Sequence, residues 1–460
     1  MNVLSLQSGT SADGIDVAVV DITPSGSRRR AGAVSRPATR ADEIDAGSVE
    51  TVAALPPRPA QLVMTPLHAE TVAWEPTLRA EILAVAAGEP RDARAWTRLT
   101  TALGHAFAEA AARGIRESGA TPDLIVSHGQ TVHHEVEHGH ARGTLQLGEP
   151  AWIAELTGVP VLSDVRMADI AAGGEGAPLM AFFDRLWLGA EARAAGRSIA
   201  TVNLGGIANV QLVGADGGVV AFDSGPGNCL IDAVVDRASA AAEGYDRDGR
   251  RAAAGRVDES LLSELLRHPY FAAPAPKSTG RETFDLAVVD AALASAGGAD
   301  PVGLDDLVAT LTELTARTVV DAIAPVGATG TPATLICSGG GAFNPVLLAR
   351  IAELATARDV VVESSAARGI DPAFKESLMF ALLGYCSIHG VPTELATGPA
   401  GARVLGRLSP GRAPLRLPER LAGAASVTVN RATGHEHRTT EHRTTERRTT
   451  EHRTTGGAKQ

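Results

Sequence analysis

The chain has 460 residues, 44% hydrophobic, 21% charged and 3% aromatic, with a net charge of -11 at pH 7. That length divides into more than one core, and so few aromatic residues make those cores aliphatic. An acidic balance disfavours nucleic acid and anionic lipid, no run of about 18 apolar residues is present to span a bilayer, and no signal-peptide pattern opens the chain. A cytoplasmic protein acting on a small molecule, with no nucleic acid or membrane as partner, is therefore expected. Cys229, Cys337 and Cys386 are far apart and form no CxxC pair, so neither a zinc site nor a disulfide framework is expected.

In chain order, alternation predicts strands at residues 3–6 and 15–22, joined by the polar turn Ser8-Gly9-Thr10-Ser11-Ala12-Asp13-Gly14. A third strand is expected within 28–60, a stretch of weak periodicity that otherwise reads as loop. Apolar residues recurring at helical spacing predict a helix over 100–116, followed by a strand at 124–126. A second version of the opening starts near residue 199, with strands at 199–204, 207–213 and 218–222 and a Gly205-Gly206 turn. Helices are predicted at 229–241, 260–267 and 304–324, and a strand at 333–337 runs into Gly339-Gly340-Gly341. The repetition predicts an α/β fold of two duplicated lobes, 1–195 and 196–425, with a ligand cleft between them. After Gly434 a five-residue HRTTE repeat has almost nothing apolar to bury, and 426–460 is expected to be disordered.

The glycine turns read either as plain hairpin tips or as candidate phosphate cradles. Ser8, Gly9, Thr10 and Ser11 present backbone amides and hydroxyls suited to an anion, and glycine lets the backbone approach it closely. Asp13 is misplaced for an anion contact but suited to a magnesium ion held beside phosphates. Asn203, Gly205 and Gly206 offer the same device in the second lobe. Gly339, Gly340 and Gly341, ahead of Asn344, remove side-chain bulk either for a flat adenine ring or for close strand-to-helix packing. No GxxxxGK[ST] loop accompanies them.

An ordered series of strings then resembles one family, the anhydro-N-acetylmuramic acid kinases of the actin-like, ribonuclease-H-like superfamily. The series includes SGTSADGID (8–16), SHGQTVHH (127–134), DVRMADIAAGGEGAP (164–178), NLGGIAN (203–209), FDSGPGN (222–228), HPYFAAPAPKSTGRE (268–282), SGGGAFNP (338–345) and DPAFKESLMFALL (371–383). The resemblance implies ATP and Mg2+ as cofactors and an amino sugar as substrate, with a homodimer left open. The implied reaction is hydrolytic opening of the 1,6-anhydro sugar coupled to phosphorylation at O6, a step of peptidoglycan recycling. Asp169 aligns with the catalytic aspartate, with Asp164 as its competitor and an N-cap as its ordinary alternative. Arg166 would stabilise transferring charge, and Glu376 occupies the acidic position near the phosphates. His128, Gln130, Asp164, Asp223 and Asn228 would line the substrate side, and residues 277–281 form a positively charged loop. Gln7, Val165 and Phe374 depart from the family's usual residues near the cleft.

Overall fold

The computed structural model describes residues 1–9, 12–26, 59–240, 243–297, 301–324, 330–395 and 401–432. The opening strands are β1 (Asn2–Ser8), β2 (Ile15–Pro24), β3 (Ala60–Val72), β4 (Leu124–Glu137), β5 (His140–Leu147) and β6 (Val161–Ser163). The later ones are β7 (Ile199–Leu204), β8 (Ile207–Val213), β9 (Val219–Pro226), β10 (Thr334–Ser338), β11 (Val361–Ser364), β12 (Arg407–Ser409) and β13 (Ala424–Val429). Four long helices recur below: α1 (Ala93–Ser118), α2 (Met180–Ala195), α3 (Leu304–Ala322) and α4 (Lys375–Ile388).

Duplication is visible in the strand order. One sheet contains β6-β4-β1-β2-β3 and the other β11-β10-β7-β8-β9. In each, the first strand pairs antiparallel with the second and the second with the third, while the fourth and fifth add in parallel on the other side. A parallel return needs a crossover. α1 precedes β4 and α3 precedes β10, so the crossovers match as well. Two copies of one α/β unit give the expected ribonuclease-H-like lobes.

Both faces of the first sheet are covered, which is why β1 is buried along almost its whole length. One face packs against α1 and the other against α2 and α4. α2 serves both lobes: Met180, Phe182 and Phe183 lie in the first core, whereas Leu188 and Ala192 pack on Ile199, Val213 and Ile336 of the second sheet. All three cysteines are free and buried.

Three expectations are corrected. The third strand is β3, beginning only at Ala60, while residues 27–58 lie outside the described residues. Pro66 in its middle argues against a strand, yet it sits at a register shift, with Val19 opposite His68 and Val20 opposite Pro66. A bulge is where a missing backbone donor is tolerated. The second lobe does not run unbroken to 425, because β12 pairs with β6 and β13 with β3, returning the chain to the first sheet. Residues 426–432 are therefore not disordered: Ser426 to Val429 supply ladder bonds along β3, which offset the entropy of ordering them. Residues 433–460 lie outside the described residues.

Candidate active site

The first glycine turn is held from beneath. Ser8 is buried and its hydroxyl accepts from Trp74 Nε1 at 3.1 Å, and the Gly9 carbonyl accepts from Gln130 Nε2 at 3.1 Å. Arg79 Nε donates to the Ala12 carbonyl at 2.8 Å, and its guanidinium lies 3.4 Å from Asp13, which is 72% exposed. Gly14 has no room for a Cβ, which would come within 2.7 Å of Thr71 and 2.8 Å of the Val72 carbonyl. Thr10 and Ser11 lie outside the described residues.

The second turn is braced from the far side. The Gly205 carbonyl accepts from Asn228 N at 2.8 Å, and the Gly206 carbonyl from Gly227 N at 2.9 Å. A trans peptide holds its C=O and N–H on opposite sides, so the Gly206 amide points away from this brace. Arg281 lies against Gly206, where a Cβ would come within 2.8 Å of the guanidinium. Gly339 and Gly341 pack on Asn203, Leu204 and Asn228, so close backbone packing accounts for both. Gly340 is the exposed one of the three. Asn344 caps the following helix, its Oδ1 accepting from Val346 N and Leu347 N.

The junction of the lobes collects charged groups. Glu376, in the first turn of α4, accepts from Asn203 Nδ2 at 2.7 Å. Burial raises its pKa, while Arg166, Lys375 and Gln7 hold it down. Gln7 Nε2 also donates to Asp16 at 2.9 Å. Burial, with the charges of Glu376 and Asp13, pushes Asp16 up to about 6 against hydrogen bonds from Thr71 and Gln7. Asp232, from the second lobe, is pushed up to about 7 by burial; Arg281 opposes this, and Asp13 and Asp246 add to it. Asp16 and Asp232 went unassigned in the sequence, and their only signal there was proximity to glycine motifs.

Asp16 has a stability consequence. Between about pH 4 and pH 6 the folded protein holds a proton that the unfolded chain has released, so this carboxyl removes stability as pH rises through that window. Asp16→Asn is expected to raise the melting temperature of the ligand-free protein at about pH 8 and to leave it unchanged near pH 3. A thermal-melt difference that is equal at both pH values would contradict this.

Arg166 organises a second cluster at the junction. Its Nε donates to His128 Nε2 at 3.0 Å and its Nη1 to the Gly176 carbonyl at 2.8 Å. Burial, reinforced by Arg166, keeps His128 well below the usual histidine range, so the ring is neutral and can accept. Burial lowers Arg166 itself to about 10, which still leaves it charged at neutral pH. The Gly176 amide donates to Asp169 Oδ2 at 2.8 Å, so one glycine joins Arg166 and Asp169. His128 Nδ1 and Gln130 Oε1 are buried without a hydrogen-bond partner among the described residues. Polar atoms left open in this way are those a polar ligand or water would satisfy.

A family profile described as anhydro-N-acetylmuramic acid kinase matches residues 39–411. The chain belongs to this family. A relative from Streptomyces coelicolor named anhydro-N-acetylmuramic acid kinase is 44% identical over 422 residues, covering 91% of this chain and 96% of the relative. Another of that name, from Rhodococcus erythropolis, is 42% identical over 423 residues, covering 89% and 94%. Among solved structures, a ROK hexokinase from Thermus thermophilus is similar at 15% identity over 83% of this chain and 97% of that one, with a TM-score of 0.30. The fold rests on the strand order alone.

Membership makes the chain one of a family of ATP-using phosphotransferases. Among anhydro-N-acetylmuramic acid kinase motifs, DVRMAD offers two aspartates, and their surroundings differ. Asp164 has a positive φ of 52° and pairs with Arg407 of β12 at 2.7 Å. Asp169 is 1% exposed and touches the loop that Arg166 also grips. Asp223 has both oxygens engaged, by Asn209 Nδ2 at 2.6 Å and Thr279 N at 2.9 Å, and so anchors the 277–281 loop. Asn228 Nδ2 donates to the Leu204 carbonyl at 3.2 Å, which makes it a brace for the glycine turn. Among the described residues, no helix is long and apolar enough to cross a membrane.

Proposed function

We propose that this protein uses ATP and water to convert 1,6-anhydro-N-acetylmuramic acid to N-acetylmuramic acid 6-phosphate in peptidoglycan recycling, in the cytoplasm. The observation that carries the reading is the linkage of Asp169, Gly176, Arg166 and His128 beside Glu376, where two matching lobes meet within a family of this name. Water attacks the anomeric carbon and passes a proton to Asp169. The C1–O6 bond breaks, O6 keeps the electron pair, and it takes the γ-phosphoryl group as ADP departs. Arg166, desolvated yet charged, stabilises the negative charge gathering on O6 and the phosphoryl oxygens.

Carboxylates beside the first glycine turn are suited to magnesium bound together with phosphates. Asp16 is raised first by burial and then by the charges of Glu376 and Asp13, and repulsion among carboxylates is relieved by a hard cation. Among the described residues, no group of three or more His, Cys, Asp or Glu side chains is arranged to hold a metal on its own. Asp13, Asp16 and Glu376 would therefore hold magnesium together with nucleotide phosphates, where it neutralises phosphate charge. The two glycine turns would receive those phosphates, and Gly340 would face the base.

Turnover in ¹⁸O-labelled water with ATP and the anhydro sugar tests the reaction. The label is expected at the anomeric oxygen of the phosphorylated product when sampled before exchange. Phosphorylation without label would reject water attack, and phosphorylation of ordinary amino sugars in preference to the anhydro sugar would reassign the substrate.

A further inference from the structure

Beneath the junction runs a polar chain in an otherwise apolar interior. Lys375 Nζ lies 2.9 Å and 3.0 Å from the two carboxylate oxygens of Asp184, and these residues are 3% and 0% exposed. The Thr201 hydroxyl lies 2.6 Å from Asp184 Oδ2 and 2.8 Å from Gln211 Oε1, so its one proton is shared between two acceptors. Gln211 Nε2 donates to Asn209 Oδ1, and Asn209 Nδ2 donates to Asp223 Oδ1 at 2.6 Å. Asp223 Oδ2 then accepts from Thr279 N at 2.9 Å.

The geometry is built from strand register. Thr201 is directly opposite Gln211 across β7 and β8, and Asn209 opposite Asp223 across β8 and β9. At one end, Asp184 belongs to α2, which packs on both sheets, and Lys375 is the residue before Glu376. At the other end is the loop whose Arg281 rests on Gly206. A buried ion pair is weak evidence of stability, since well-packed apolar residues often do as well. Satisfied polar networks do fix geometry, because each member has few arrangements that leave no group unpaired.

We propose that Asp184 and Lys375 form a positioning pair for Glu376, and that Thr201, Gln211, Asn209 and Asp223 keep the 277–281 loop in register with it. None of these network residues need touch substrate. The inference rests on the kinase reading for its meaning in turnover, and on the hydrogen-bond chain for its existence.

Thr201→Val keeps a β-branched shape and removes the shared hydroxyl. In the full-length protein, amide hydrogen exchange is expected to quicken about tenfold both at 277–282 and at 374–378. With ATP and the anhydro sugar, kcat is expected to fall about tenfold with KM for ATP within about threefold, and Thr201→Ser is expected to restore both readouts. Gln211→Met, one link further along, carries the same expectation and serves if Thr201→Val does not fold. A folded variant with wild-type exchange at either segment overturns the proposal. If wild-type protein turns over nothing, the kinase reading fails while exchange still decides the coupling.

Discussion

Asp169→Asn is expected to lower turnover by about 10²- to 10⁴-fold, the range for losing a positioned general base. The substitution is nearly isosteric, and the amide oxygen can still accept from Gly176 N, so the fold of the Arg166 loop is retained. Binding of ATP and sugar, measured by calorimetry, should stay within about threefold of wild type, because the loss falls on the chemical step. Space there is tight: a Cβ on Gly174 would fall inside the Asp169 carboxylate, so a larger replacement would confuse displacement with lost basicity. An unchanged rate would remove Asp169 from the mechanism. Asp164, paired with Arg407, would then have to be tested by Asp164→Asn.

Arg166→Met is expected to cost about 10²- to 10³-fold in kcat, comparable with removing a preorganised donor to developing negative charge. It also leaves His128 Nε2 and the Gly176 carbonyl without their donor, and it deprives Glu376 of a nearby positive charge. The pKa of Glu376, which must be ionised to hold magnesium in the proposed reaction, should therefore rise further, moving the acid limb of the rate profile to higher pH. Arg166→Lys keeps charge but cannot reproduce both contacts, and should recover only part of the rate. A methionine variant with wild-type kcat and an unmoved acid limb would exclude Arg166 from charge stabilisation.

What the sequence made legible follows from local pattern. β7 and β8 were readable at their true limits because apolar residues are bounded there by a glycine turn. α4 carried no amphipathic signal of its own: every residue except Glu376 is buried, and a helix enclosed all round has no polar face. β3 was hidden by Pro66, and β12 and β13 are short strands whose partners lie hundreds of residues earlier. The candidate site divides in the same way. Asp169, Arg166 and Glu376 stood out through motifs, whereas Asp16 was legible only as part of SGTSADGID, and its raised pKa comes from burial in the fold, with a smaller part from Glu376 at the far end of the chain. The Asp184–Lys375 pair spans 191 positions, and no local spacing reports it. Asp223 and Asn228 were read as lining the cleft, whereas their side chains bond Asn209, the Thr279 amide and the Leu204 carbonyl.

The pairing of β13 with β3 bears on how the polypeptide matures during synthesis. From the moment β3 leaves the ribosome until residues 424–429 follow it, the outer rim of the first sheet stays open to any extended strand nearby. The nascent first lobe thus spends most of translation with the 13-residue β3 as its margin, until the late-arriving β13 replaces it with an edge of only six residues. Synthesis arrested ahead of that strand would release a polypeptide prone to self-association even though every residue of the proposed catalytic machinery had already been made.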